Sequence, residues 1–194
     1  IPTIAPDPAE VCAGLNLVLN GTPTGGSGVY TTHVWSGAGA GSLTSGNTTA
    51  TPTFNNATAS TYALTYTVTD NNGCTGTDDI TVTVFANPVI NLVPTDPLTC
   101  NATDGSIEVN LTSGSSSNGT ISWTGTTSSS VGPTTLTDDI TGLGAGNYNV
   151  RFTDENGCIS PIVGIVLNNP GAPIINPILD TVSCGVNFTL LEAD

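Results

Sequence analysis

The sequence predicts an all-β chain made of two tandem β-sandwich modules, each with one intradomain disulfide, followed by the start of a third. Three observations predict this class: a composition that disfavours helices, a repeat of cysteines and tryptophans, and runs in which apolar and polar residues alternate. Because sandwich modules are small domains, 194 residues accommodate two of them better than one large domain. The expected segments are residues 1–87, 88–170 and 171–194.

The composition excludes several classes of protein. Gly, Pro, Ser, Thr and Asn are abundant, whereas only 8% of residues are charged and Met is absent, so long amphipathic helices lack their usual residues. The formal net charge is −14 and Arg151 is the single basic residue, which disfavours binding to phosphate backbones. The longest apolar run, residues 161–167, is far too short for a membrane helix. We therefore expect neither a nucleic-acid partner nor membrane insertion.

A repeat divides the chain into two copies. Cys12 and Cys100 are 88 residues apart, and Trp35 and Trp123 have the same separation. Two independent landmarks that keep one register indicate a duplicated structural unit rather than chance.

Each copy also has a late cysteine at the end of a T-D-x-N-G-C motif, namely Cys74 and Cys158. We expect the early cysteine of each copy to bond the late one of the same copy, Cys12 with Cys74 and Cys100 with Cys158. Closing a loop of about 60 residues would stabilise each module by roughly 4 kcal/mol. Persistent disulfides also indicate an extracellular location, since cytosolic thiols are kept reduced.

Cys184 is left without a partner in this scheme. It follows Cys100 by 84 residues, and like the other early cysteines it comes after a Pro-rich stretch. We expect it to begin a third module and to bond a cysteine beyond Asp194. The alternative is a free or intermolecular thiol.

Alternating apolar residues predict strands with one buried face. The runs of the first copy are Leu15, Leu17, Leu19; Tyr62, Leu64, Tyr66, Val68; and Ile80, Val82, Val84. Those of the second are Ile107, Val109, Leu111 and Tyr148, Val150, Phe152. Asx and Gly residues at 70–73 and 154–157 predict tight turns, so each late cysteine should lie just past a hairpin tip. Pro-rich junctions favour an extended rod of modules.

Motifs in both copies resemble known repeats. The stretch 12–84 contains G-G-S-G-V-Y at 25–30, H-V-W-S-G at 33–37 and Y-A-L-T-Y-T-V-T-D at 62–70, and it resembles the PKD-like, immunoglobulin-type repeats of Bacteroidetes surface adhesins. The stretch 100–158 contains D-G-S-I at 104–107, Trp123, L-G-A-G-N-Y at 143–148 and D-E-N-G-C at 154–158, and it is similar to the SprB-type repeat of gliding-motility adhesins. It departs from that repeat at residues 113–119, which replace the usual Gly-Gly stretch.

The resemblance implies tandem immunoglobulin-like β-sandwich modules in a very large secreted repeat protein. Such a protein would be exported by the type IX secretion system and displayed on the outer surface of a Gram-negative bacterium. Its repeats would form a stalk or an adhesive extracellular filament, with a role in cell adhesion or gliding motility. The resemblance implies no catalytic residues.

Candidate catalytic chemistry is sparse. His33 is the single histidine, so a histidine-rich metal site is excluded, and we expect His33 to be a strand residue near Trp35 rather than the base of a Ser-His-Asp or Cys-His arrangement. Trp35 and Trp123 occupy the place where an immunoglobulin-like sandwich packs its core tryptophan near the disulfide. The alternative for either ring is a platform for stacking sugars. We do not expect an enzyme, and no cofactor other than Ca²⁺ is considered.

Acidic residues suggest one metal site. Asp70, Asp78 and Asp79 lie near one predicted hairpin, and Asp154 and Glu155 mark the equivalent turn of the second copy. Carboxylates and backbone carbonyls there could hold Ca²⁺, although their spacing is not that of an EF-hand loop. The alternative is that these residues form Asx turns and keep a secreted rod in solution.

Thr181 is a candidate for modification. It stands in Asp180-Thr181-Val182, which resembles the O-glycosylation signal of the same bacteria. Asn-x-Ser/Thr strings also occur, but a chain rich in Asn and Thr produces them by chance.

The leading functional prediction is a stalk segment of an adhesive surface protein whose partners are neighbouring repeats of the same chain. One rival is the subunit of a self-assembling extracellular filament, joined to other copies through Cys184 or an edge strand. The other rival is a carbohydrate-binding module, which requires exposed aromatic residues and binds surface glycans.

Overall fold

The structure is a computed structural model that describes residues 1–135 and 139–171. These residues form fifteen β-strands and one short 3-10 turn, Ala40–Ser42. The strands of the first module are β1 (Thr3–Ala5), β2 (Ala9–Cys12), β3 (Asn16–Val18), β4 (Asn20–Thr22), β5 (Tyr30–Ser36), β6 (Thr53–Asn55), β7 (Ser60–Asp70) and β8 (Thr75–Phe85). Those of the second are β9 (Val89–Thr95), β10 (Gly105–Ser113), β11 (Asn118–Thr124), β12 (Ser129–Thr135), β13 (Asp139–Leu143), β14 (Gly146–Asp154) and β15 (Val163–Leu167).

The first module is built around a long hairpin. Strands β7 and β8 have eleven residues each and pair antiparallel, from Ser60 opposite Val84 to Thr69 opposite Thr75. They belong to the four-stranded sheet β2-β8-β7-β5, against which the two-stranded sheets β1-β4 and β3-β6 pack. Strand β2 runs parallel to β8 and places Cys12 opposite Phe85. Cys12 is therefore at the end where the chain leaves the module, and the β7-β8 turn is at the other end.

The second module has a three-stranded sheet, β13-β10-β9, and a four-stranded sheet, β12-β11-β14-β15. Strand β14 lies between β11 and β15, with Asp154 opposite Gly119 at one end and Gly146 opposite Leu167 at the other. The chain leaves the module after Leu167. Its exit and the turn that follows Asp154 are thus at opposite ends of β14, as they are in the first module.

Each module has its own apolar core, and the predicted all-β class with two sandwich modules is confirmed. Among the described residues, no sheet contains strands of both modules. No helix within these residues has the length and apolar character needed to span a membrane. The largest buried side chains of the first core are Trp35, Tyr66, Phe54, Leu19 and Leu64, and those of the second are Tyr148, Phe152, Ile107, Ile121 and Ile140.

The predicted alternation holds in the long strands. Leu64, Tyr66 and Val68 are all buried along β7 while the residues between them are not. The inward orientation predicted for Leu15 is wrong, since 59% of its surface is exposed. The chain turns there, because Gly14 has a φ of +81° and the Leu15 N–H donates to the carbonyl of Cys12. Strand β3 begins only after this turn.

Candidate functional site

A disulfide joins the two modules. Cys12 at the end of β2 bonds Cys158, which follows the β14 turn, and their Cα atoms are 5.5 Å apart. Cys74 and Cys100 are free and exposed. The predicted pairs, Cys12 with Cys74 and Cys100 with Cys158, are therefore wrong, and neither module has an intradomain disulfide among the described residues.

Strand geometry explains why the first predicted pair cannot form. Cys12 lies opposite Phe85, whereas Cys74 comes just before Thr75. The length of β8 separates these positions by about 33 Å at ~3.3 Å per residue. A disulfide requires Cα atoms about 4–7 Å apart.

The second predicted pair fails for the same reason. The Cys100 thiol donates a 3.2 Å hydrogen bond to the carbonyl oxygen of Pro170, just beyond β15. Cys158 follows Asp154 at the opposite end of β14, and that strand is about 26 Å long. Both early cysteines are thus at the exit of their own module, and both late cysteines are at its entrance.

Polar contacts support the same junction. The Ala86 N–H donates to the Ser115 Oγ at 2.6 Å, and the Asn87 side-chain amide donates to the Ala13 carbonyl at 3.0 Å. The first bond ties the linker to the second module and the other ties it to the first. The disulfide and these hydrogen bonds therefore hold the linker from both sides.

The loop at residues 70–74, which carries Cys74, is organised by a buried carboxylate. Asp70 is 4% exposed, and its Oδ1 accepts hydrogen bonds from the N–H groups of Asn72 and Cys74, both at 2.9 Å. Its Oδ2 accepts from the Ser27 N–H at 3.0 Å. These bonds, that from Ser27 first, lower the pKa of the Asp70 carboxyl, although burial opposes them.

We expect Asp70→Asn to weaken the acid sensitivity of the first module. A carboxyl whose pKa is lowered by folding stabilises the fold above its unfolded-state pKa of about 3.9, and this contribution disappears as the pH falls through the folded-state value. The variant should therefore be less stable than the parent at neutral pH and should differ from it less at low pH. Denaturant unfolding over the range from about pH 2.5 to 7 measures this. Asp7→Asn, at an exposed position, is the control, and an equal pH dependence in parent and Asp70→Asn would contradict the prediction.

The loop at residues 154–158 repeats this geometry. Asp154 is 4% exposed, and its Oδ1 accepts from the N–H groups of Asn156 at 3.0 Å and Cys158 at 2.8 Å. Its Oδ2 is buried and has no partner among the described residues. The Glu155 N–H donates to the Asn118 carbonyl at 2.8 Å. The prediction that each late cysteine follows a tight Asx turn is confirmed in both copies.

The acidic residues considered for Ca²⁺ are dispersed. Within the described residues, no three His, Cys, Asp or Glu side chains form a group that could hold a metal ion. Asp70 and Asp154 are turned onto their own loops, Asp78 is half-buried on β8, and Asp79 accepts a 2.7 Å hydrogen bond from the Thr65 hydroxyl. The carboxylates of Asp70 and Asp154 accept hydrogen bonds from the backbone of their own turns. Calcium binding stays a prediction without structural support.

The two equivalent tryptophans differ. Trp35 is fully buried, donates from Nε1 to the Thr49 carbonyl at 2.9 Å and packs on Tyr66 with ring centroids 4.8 Å apart. Trp123 is half-buried, and its Nε1 has no partner among the described residues. Cys12 and Cys158 are buried but belong to neither apolar cluster, so the expected packing of tryptophan on a disulfide is not observed in the described part of the chain. His33 is a strand residue as predicted, with Nδ1 2.6 Å from the Tyr66 hydroxyl.

The remaining predicted sites, Cys184 and Thr181, lie outside the described residues. The Cys12–Cys158 pair and the Ser115 contact were missed by the sequence reasoning. One usable signal was present, because the T-D-x-N-G-C motif places its cysteine at the tip of a hairpin whose strands are predicted to be long.

The comparisons agree with two immunoglobulin-like modules. Residues 9–84 match the family model of the PKD domain, K319L-like. The fibronectin(III)-like modules of Clostridium thermocellum CbhA are similar at 16% identity and a TM-score of 0.46, over 87% of this chain and 94% of that one. A C-terminal 282-residue fragment of intimin, solved with the intimin-binding domain of its receptor Tir, is similar at 11% identity and a TM-score of 0.52, over 79% of this chain and 58% of that one.

No curated protein sequence matches the chain. The matched family model is that of a PKD domain and not of a catalytic domain. The chain thus has tandem immunoglobulin-like sandwich modules, the first of them similar to a PKD domain, and a disulfide of the kind typical of extracellular proteins.

Proposed function

We propose that this chain is a load-bearing segment of the stalk of a large secreted adhesin on a bacterial cell surface. The observation that carries the proposal is the disulfide across the module junction, since it changes the path that a pulling force takes. A force applied to the two ends runs from residue 1 to Cys12, crosses to Cys158 and continues along the chain. The 145 residues between the two cysteines are outside that path.

A stalk must transmit force without lengthening. Under load the covalent path comprises residues 1–12 and 158–194, about 170 Å when fully extended at ~3.5 Å per residue. Without the disulfide the whole chain would be in the path, about 680 Å. The crosslink therefore keeps the residues between the two cysteines, which include strands β3 to β14, from being pulled out along the chain, which is useful to a surface stalk.

Other properties agree with this role. A net charge of −14 keeps neighbouring rods apart, and the crosslink at the linker limits bending of the module pair. Membership of a SprB-type repeat array, export by the type IX system and a role in gliding motility are the specific form of the proposal, supported by the motifs at 104–107 and 143–148. The cell is then a Gram-negative bacterium with the rod on its outer surface.

A self-assembling filament subunit is the second candidate, favoured by the exposed thiols of Cys74 and Cys100. A carbohydrate-binding module has less support. The rings of Trp35, Tyr66 and Tyr148 are buried in the cores, so these residues offer no surface on which a sugar could stack.

Single-molecule pulling from the two termini tests the stalk proposal. The oxidised chain should reach a total extended length of about 170 Å, and the Cys12→Ser, Cys158→Ser chain should reach about 680 Å. Cys74→Ser, Cys100→Ser is the matched control, because it removes two cysteines without breaking the junction, and it should behave as the parent. An oxidised parent that extends to the full length would contradict the proposal.

A further inference from the structure

The two free cysteines occupy the same positions in their modules as the two bonded ones. Cys74 is the late cysteine of the first module, equivalent to Cys158, and Cys100 is the early cysteine of the second, equivalent to Cys12. The observed bond joins an early cysteine to the late cysteine of the following module. Both free thiols are exposed, so each is accessible to a partner.

The loop that carries Cys74 has the same backbone hydrogen bonds and the same glycine conformation as the loop that carries Cys158. In both, the Asp carboxylate accepts the cysteine N–H, at 2.9 Å in the first module and 2.8 Å in the second, and the Asp N–H donates to the cysteine carbonyl at 2.9 Å. The glycine before the cysteine has a φ of +81° at Gly73 and +79° at Gly157. The backbone that presents the bonded thiol is therefore reproduced around the free one.

A neighbouring segment of the chain holds each of the two loops in the same way. The residue after the Asp donates its N–H to a carbonyl of an adjacent segment, Asn71 to Val29 at 2.9 Å and Glu155 to Asn118 at 2.8 Å. The loop with Cys74 is thus anchored at the entrance of the first module as the loop with Cys158 is anchored at the entrance of the second.

The early cysteines also correspond. Cys12 lies beside Phe85 and the adjacent Ala13 N–H donates to the Phe85 carbonyl at 2.8 Å, while the Cys100 thiol donates to the Pro170 carbonyl at 3.2 Å. Each early cysteine is next to the segment through which its own module ends. Cys100 therefore stands where the next module would begin.

We propose that Cys74 and Cys100 are half-cystines of two further junctions of the same kind. Cys74 bonds the early cysteine of a module docked at the entrance of the first module, and Cys100 bonds the late cysteine of a module docked at the exit of the second. The occupant in each case is another immunoglobulin-like module with the complementary cysteine. If every early cysteine bonds the late cysteine of the next module, a disulfide joins each pair of successive modules along the array. The proposal concerns the linkage between modules and is independent of what the assembled rod binds.

Each bond forms by oxidation of two thiols. The Cys100 thiolate attacks one sulfur of a disulfide oxidant, and the second thiolate displaces the oxidant from the resulting mixed disulfide. The two cysteines together lose two protons and two electrons, and the oxidant is reduced to two thiols. Oxidised glutathione is an oxidant of this class.

The test uses two full-length variants that each retain one of the two thiols. Cys74→Ser, Cys184→Ser retains Cys100, and Cys100→Ser, Cys184→Ser retains Cys74. One variant is labelled with nitrogen-15, and the two are oxidised with oxidised glutathione, separately and as an equimolar mixture. Intact mass then distinguishes heterodimers from homodimers, and peptide mapping identifies the bonded cysteines.

We expect the Cys74–Cys100 heterodimer to outnumber the two homodimers together by about tenfold, against the 1:1 ratio of random collision, because docking of complementary ends precedes bond formation. Peptide mapping should show the Cys12–Cys158 bond intact in both variants, which establishes that they are folded. Heterodimers and homodimers in the 2:1:1 ratio of random collision would overturn the proposal. Thiols that acquire only glutathione would overturn it as well.

Discussion

Replacing both Cys12 and Cys158 with serine is expected to lower the free energy of unfolding of each module by about 4 kcal/mol. The bond lies between the modules, yet it restricts the unfolded state of each. When the first module unfolds alone, Cys158 remains held next to the linker by the folded second module. The unfolded segment from Cys12 to Phe85 is then a closed loop of about 75 residues.

The same reasoning applies to the second module. If it unfolds while the first stays folded, Cys12 is held beside the linker, and the chain from Ala86 to Cys158 forms a closed loop of about 70 residues. A crosslink at the junction thus restricts each module about as much as the intradomain crosslink expected from the sequence. One bond stabilises two domains because both of its ends lie where the modules meet.

Hydrogen exchange measured by mass spectrometry resolves the two modules, with peptides of β8 reporting on the first and peptides of β14 on the second. Protection should fall in both for Cys12→Ser, Cys158→Ser, and reduction of the parent should have the same effect. The control Cys74→Ser, Cys100→Ser changes two exposed thiols and should leave protection unchanged. A loss confined to one module, or an equal loss in the control, would contradict the prediction.

Local patterns in the sequence predict the strands and turns well. The alternation of Leu64, Tyr66 and Val68 identifies β7, and T-D-x-N-G-C identifies both loops with late cysteines. Such features depend on neighbouring residues, and neighbouring residues are visible in the sequence.

The disulfide pairing depends instead on which end of the module each cysteine occupies. That is decided by β2, a four-residue strand that pairs parallel with the end of β8. Its residues Ala9 to Cys12 carry no sign of this pairing, since a short segment fits either edge of the sandwich. A disulfide within one copy requires the two ends of the module to be close together. The eleven-residue length of β8 shows that they are not.

The 88-residue repeat also predicted equal environments for the two tryptophans, and the structure separates them. In the first module the backbone at Thr49 covers Trp35 and accepts its indole N–H. Trp123 has no such acceptor among the described residues and is only half-buried. A shared register fixes the strand that a residue occupies, whereas the loops that cover it differ between the copies.

Trp35→Ala is expected to destabilise the first module by about 3–5 kcal/mol, the range for removal of a fully buried large aromatic side chain. The substitution removes the packing against Tyr66, leaves a cavity between the sheets and leaves the Thr49 carbonyl without its donor. Urea unfolding with near-UV circular dichroism measures the change. Trp123→Ala should cost less, because part of that side chain is already in contact with solvent.

Substitution by phenylalanine at the same two positions separates packing from hydrogen bonding. Trp35→Phe loses the 2.9 Å hydrogen bond to Thr49 and should be destabilised by about 1–3 kcal/mol more than Trp123→Phe. Trp123→Phe removes a buried N–H that has no acceptor among the described residues. The stability gained by removing that group offsets part of the stability lost with the contact area. Equal losses of stability at the two positions would contradict the prediction, because they would show that the Trp123 N–H also has an acceptor.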